Sequence, residues 1–168
     1  MIRLTGIVML ASAGVLLGRG RAKQLWEKAE LFDDMVRATE LLRCETEARR
    51  PLLRSAQGLG TCFDGRCGSF FRNLCLGLEQ LSEVGLEGIW ADCAEDCFGD
   101  LLSRQELAHF NSLGAVLATG EGLERGFRRC ADELTRLGDE AEAIARRDGK
   151  MWTSLGLAAG LMLAIVLI

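Results

Sequence analysis

The sequence predicts an all-α fold: an antiparallel helical domain carried between an N-terminal and a C-terminal transmembrane helix. Three observations lead there. Charge is confined to the middle, since Arg19 to Lys150 holds 19 of the 20 Lys and Arg and all 24 Asp and Glu, with Arg3 alone outside. Both ends are apolar runs. Between them, apolar residues recur at helical spacing, with no period-two strand pattern and no tyrosine. A chain of 168 residues has room for one domain of ordinary size. The expected parts are residues 1–18 as a first span, 19–150 as a helical domain and 151–168 as a second span.

The C-terminal run carries the clearest signal. Met151 to Ile168 is 18 residues without a charge. As a helix it measures roughly 27 Å, close to the ~30 Å of a bilayer's hydrocarbon. Its polar side chains, Thr153 and Ser154, sit at the start, beside Lys150 and Trp152. A helix apolar all round with such an entrance reads as a membrane span rather than a core helix.

The N-terminal run, Leu4 to Gly18, is shorter, about 22 Å as a helix, so snorkelling or local thinning must make up the difference. The rival is a cleaved leader with Ala11-Ser12-Ala13 as its site. That cut would leave an apolar core of only Leu4 to Leu10, and Arg19, Arg21, Lys23 and Lys28 follow the run instead of preceding it. A retained span is therefore expected. Arg19, Arg21 and Lys23 flank the first span, and Arg146, Arg147 and Lys150 flank the second. Both place the intervening domain on the cytoplasmic side. Gly14 and Gly18 in the first span, and Gly156 and Gly160 in the second, have the i, i+4 spacing that lets membrane helices pack closely.

The helices between follow in order. Leu31, Met35, Ala38 and Leu42, with Phe32, Val36 and Thr39 beside them, form a stripe continuing from the first span. Pro51 ends that helix or opens the next. Gly58, Gly60, Gly65 and Gly68 predict a loop around GLGTCFDGRCG. Phe70, Leu74, Leu78 and Leu81 make a second stripe, broken by Gly85 and Gly88. Ile89, Trp90, Cys93, Cys97 and Leu101 make a third. Ser103 and Glu106 have capping-box spacing for a helix through Leu117. Gly120 and Gly122 predict a turn, and a last helix runs from about Leu123 through Leu134, Leu137 and Ile144 into the second span.

Little in the chain suggests catalysis. Cys62-x4-Cys67 and Cys93-x3-Cys97 raise a metal or redox reading, yet neither has the C-x2-C spacing of tight-turn sites. Cys93 and Cys97 share an apolar face with Trp90, where small buried cysteines are common. The seven cysteines are an odd number, which suits a reducing compartment rather than a disulfide framework. His109 is the single histidine and has no nucleophile placed near it by any motif. There is no phosphate loop, dinucleotide fingerprint or H-E-x-x-H, so neither an enzyme, a cofactor nor a small-molecule substrate is expected. The mildly acidic middle lacks the clustered Lys and Arg of a nucleic-acid interface.

The charge pattern says more. Between Asn73 and Ser103 lie Glu79, Glu83, Glu87, Asp92, Glu95, Asp96 and Asp100 without one base. They read either as solvated helix faces or as a docking surface for a basic partner. The docking reading assigns partner binding to Glu79, Glu83, Glu87, Asp92, Glu95 and Asp96.

The pattern as a whole resembles the stage III sporulation protein AB family, over essentially the full chain. The resemblance is strongest in GKMWTSLGLAAGLMLAIVLI, through Lys150, Met151, Trp152, Ser154, Leu155, Gly156 and Gly160. LTGIVMLASAGVLLG is similar to the family's first span at Gly6 and Gly18. LLRCETEARRPL resembles it at Leu42, Glu45, Pro51 and Leu52, and FNSLGAVLATGEGLERGF at Gly114 and Leu117. Ala118, Glu121 and Arg125 depart from the family's usual Leu-Gly, Asp and Gln. The resemblance implies a non-enzymatic component of the channel joining mother cell and forespore, in the mother-cell membrane around the forespore. It also implies a likeness to the platform protein of type II secretion and type IV pilus systems. Implied partners are other stage III sporulation channel proteins, including the AA ATPase, and membrane lipid.

Overall fold

The computed structural model describes residues 2–79 and 85–166; over 2–19 and most of 150–166 it describes helix backbone and not side chains. Among the described residues there are six helices and no strand: α1 (Ile2–Glu47), α2 (Leu52–Cys62), α3 (Gly65–Glu79), α4 (Leu86–Phe98), α5 (Arg104–Thr119) and α6 (Leu123–Val166). Two units are formed, residues Glu30–Gly138 and, separately, those up to Ala29 with those from Asp139 on.

In the Glu30–Gly138 unit, local chemistry sets the helix ends. Arg49 takes a left-handed φ of 54° just after α1, and Pro51, with no N–H to lose, stands at the N-cap of α2. Ser103 caps α5 by accepting from the Glu106 N–H, while the Glu106 carboxylate accepts from the Ser103 N–H at 2.8 Å. Gly120 closes α5 at φ 69°, and Gly122 at φ 63° turns the chain into α6. Such angles cost glycine little and other residues about 1 kcal/mol or more.

Most of the stripes read from sequence become the core, with Val36, Leu78, Cys93 and Leu137 half-buried and Leu81 outside the described residues. Leu31, Phe32, Met35, Ala38, Thr39 and Leu42 of α1 are buried, as are Phe70 and Leu74 of α3. The α1 and α6 parts of this unit run antiparallel: a Cβ on Gly138 would lie 3.3 Å from Phe32, and eight residues back Cys130 meets the Thr39 hydroxyl. Phe70 sits at the centre, its ring 5.0 Å from Trp90, 5.1 Å from Phe110 and 5.5 Å from Phe98. The Trp90 and Phe110 contacts are edge-to-face, and aromatic pairs of this kind contribute about 0.5–1.5 kcal/mol each beyond burial. They tie α3, α4 and α5 into one apolar block.

Three expectations are corrected. GLGTCFDGRCG is not a loop: α2 runs to Cys62 and α3 starts at Gly65, so only Phe63 and Asp64 connect them. A Cβ on Gly68 would stand 2.0 Å from the Phe63 carbonyl oxygen, and one on Gly60 3.1 Å from the Arg72 side chain. These glycines serve close packing within helices, and Gly65, at φ 62°, is the turn residue among them. Leu101 lies beyond α4, whose inward places fall to Ala94 and Phe98, with Leu102 buried after them. Ile144 is 44% exposed, because Ala141 and Ala145 hold the buried positions there.

In the other unit, α1 and α6 meet through small residues. Ala29, Ala141 and Ala145 are buried, and a Cβ on Gly149 would lie 3.7 Å from Trp26 Nε1 and 3.9 Å from Ala22. Among the described residues no helix is long and apolar enough to cross a membrane. The two expected spans fall mainly on residues whose side chains lie outside the described set. The packing of Gly14, Gly18, Gly156 and Gly160 lies outside it too, although their backbones belong to α1 and α6.

Candidate functional site

The described acids of the run lie at the surface, although not all on one helix. Helical spacing puts Asp92, Glu95 and Asp96 on the half of α4 opposite Trp90 and Phe98, and all three are exposed. Glu87 is exposed in the first turn of α4, where a carboxylate complements the helix dipole. Glu79 is exposed at the last residue of α3, and the end of that helix lies against the start of α4, where a Cβ on Gly77 would meet Ile89. Glu83 lies outside the described residues. Asp100 is engaged: Arg66 of α3 donates to its Oδ2 at 2.8 Å and to the Cys97 carbonyl at 2.9 Å. That hydrogen bond holds the Asp100 carboxyl below its ordinary pKa. Arg66 thus clamps the end of α4 to α3 and leaves Asp92, Glu95 and Asp96 to solvent.

Five of the seven cysteines pack at least partly into the core. Cys67, Cys75, Cys97 and Cys130 are buried, Cys93 is half-buried, and Cys44 and Cys62 are exposed. Burial pushes the thiols of Cys67 and Cys130 up to about 12 and that of Cys93 up to about 11. At neutral pH they are protonated, and a thiol is neither a good nucleophile nor a metal ligand until it loses its proton. Cys130 donates weakly to the His109 carbonyl at 3.7 Å, and Cys67 to the Asp34 carbonyl at 3.9 Å. Among the described residues no three His, Cys, Asp or Glu side chains are placed to hold a metal ion.

A second surface was not visible in the sequence. Between α5 and α6 runs a groove of about 710 Å³. Ala108, Ser112 and Gly122 are its small lining residues, and Val116 and Cys130 form its apolar part. Gly126 lets Val116 pack directly onto α6, where a Cβ would stand 2.6 Å from Val116 Cγ1. Arg125 and Arg129 stand along it one helical turn apart. His109 Nε2 lies 3.8 Å from Glu133, a distance that becomes an ion pair on protonation. The Arg136 guanidinium, donating at 3.0 Å, holds the Glu133 carboxyl below its usual range. The signal that could have found the groove is the interleaving in GEGLERGFRRC: Gly122 and Gly126, and Arg125 and Arg129, each four apart.

Six helices, with four of the seven thiols buried in the core and charge arranged on two faces, define a small all-α protein. Comparison makes this specific. The family described as stage III sporulation protein AB matches residues 3–168, and the chain belongs to it. No curated protein and no solved structure matches the chain.

Proposed function

We propose that the protein is a membrane-anchored helical component of the mother cell–forespore channel complex, and that it scaffolds other channel proteins. The observation that carries this reading is the family match across residues 3–168, which takes in both apolar ends as well as the domain between. The helix backbone supports the anchors, since α1 extends from Ile2 and α6 to Val166 through the two apolar runs. Residues 1–18 and 151–168 are the spans, with Gly14, Gly18, Gly156 and Gly160 as their packing faces. Residues 19–150 face the mother-cell cytoplasm, in the membrane around the forespore. The domain works by binding: the acidic surface of Glu79, Glu83, Glu87, Asp92, Glu95 and Asp96 takes a basic face of a cytoplasmic partner, the AA ATPase, and couples it to the membrane components.

Crosslinking in sporulating cells followed by identification of partners tests the reading. Recovery of other stage III channel proteins is expected, and E79K/E83K/E87K should weaken capture of the ATPase while leaving the protein folded. Recovery of none of them from cells that express the protein would refute it.

A further inference from the structure

The groove between α5 and α6 plays no part in that scheme, yet its chemistry is selective. Arg125 and Arg129 are exposed and form no ion pair among the described residues, whereas other arginines of α6 meet a carboxylate: Arg128 with Glu124, Arg136 with Glu133 and Arg146 with Glu142. The one carboxylate lining the groove, Glu133, is paired with Arg136 and also attracts Arg129. Arg125 and Arg129 together outweigh it, so the groove presents a net positive charge on a chain whose net charge is −4. Gly122, just before α6, leaves the trough open at that end, so an approaching helix could bring its carboxylates within reach of the Arg125 and Arg129 guanidiniums.

The complementary surface lies on the same chain. Asp92 and Asp96 are exposed on α4, one turn apart, with Glu95 between them, and no ion pair engages any of the three among the described residues. Residues four apart on a helix are separated by roughly 6 Å, so the two carboxylates and the two guanidiniums share one pitch. Guanidinium and carboxylate are also matched for paired hydrogen bonds.

We propose that the groove receives the Asp92–Asp96 turn of a second copy of this chain, with Asp92 and Asp96 of one copy on Arg125 and Arg129 of the next. The two surfaces differ, so the contact is head-to-tail, and successive copies either close into a ring or continue as a file. Exposed charge pairs are weak singly and screened by salt, so assembly depends on ionic strength and gains where copies are confined together. The proposal rests on the channel reading's use of the acidic segment for docking and shares Asp92 and Asp96 with the surface offered to the ATPase, while Glu79, Glu83 and Glu87 take no part in the self-contact.

The test is sedimentation of the full chain in detergent, with circular dichroism as the control for folding. The wild type should self-associate at about 50 mM salt and come apart near ~500 mM, where the Debye length falls severalfold. R125E/R129E and D92R/D96R should each raise the dissociation constant by roughly ten-fold or more, since each juxtaposes like charges. An equimolar mixture of the two folded variants should associate again, because each offers the surface that the other has lost. A wild type that stays monomeric at low salt, a reversal without effect, or folded variants that fail to associate on mixing would each overturn the proposal. E79K/E83K/E87K should leave self-association intact while losing the channel partner, so the two readings fail separately.

Discussion

Gly114 offers a measurement in which two known effects oppose each other. It is buried within α5, where glycine costs about 1 kcal/mol relative to alanine, so Gly114→Ala gains that amount from helix propensity alone. The added Cβ would stand 2.5 Å from Trp90 Cγ, 2.8 Å from Cδ1 and 2.9 Å from Cβ. Those atoms are the root of a fully buried indole held between Phe70 and Phe110, so they have little room to retreat. Overpacking of this kind costs about 1–3 kcal/mol. The net expectation for G114A is a loss of about 1 kcal/mol, or roughly 2–4 °C in Tm for a domain of this size. Gly58 is the internal control: it is exposed within α2 and a Cβ there would meet nothing within 4 Å, so G58A should gain about 0.5–1 kcal/mol. Urea and thermal unfolding of both variants should give shifts of opposite sign. A third arm isolates the cause: in a W90A background the penalty of G114A should shrink, since Cγ and Cδ1, the two nearest clashing atoms, are gone. Equal stabilisation by G114A and G58A would refute the close approach of α4 and α5.

Three further outcomes are expected. Ser103→Ala removes the side-chain half of the α5 capping box and should cost about 1 kcal/mol in urea unfolding, with Ser103→Gly milder. Asp100 has a folded pKa depressed by Arg66, so its contribution is present above the ordinary carboxyl value and lost as pH falls through the depressed one; the acid limb of a stability–pH curve should flatten in D100N. Thiol labelling at pH 7 should modify Cys44 and Cys62 quickly and leave Cys67 and Cys130 unreacted until unfolding; labelling of Cys67 as fast as Cys62 would contradict its burial.

The periodic parts of the fold were legible because burial follows the helical repeat. Leu31, Met35, Ala38 and Leu42 went inward as their spacing demanded, and the Ser103–Glu106 box formed as written. Glycine was harder to read. A glycine in a turn and a glycine at a crossing look alike in sequence, so GLGTCFDGRCG resembled a loop until Gly60 and Gly68 were seen lying against Arg72 and Phe63. At the surface, the α4 acids could be read because they lie on one element. The groove could not, because Arg125 and Arg129 acquire their trough only when α5 brings Ala108, His109 and Ser112 alongside.

The placement of Trp90 has an optical consequence. The chain has no tyrosine and three tryptophans, so indole dominates its near-ultraviolet emission. Trp90 is fully buried, its Nε1 makes no hydrogen bond, and aromatic rings surround it, conditions under which an indole emits at the blue end of its range. Trp26, 41% exposed, belongs to the other unit and emits further to the red. Trp90 therefore contributes a blue component from the Glu30–Gly138 core, and with Trp152 replaced by phenylalanine that component follows the core during unfolding or assembly.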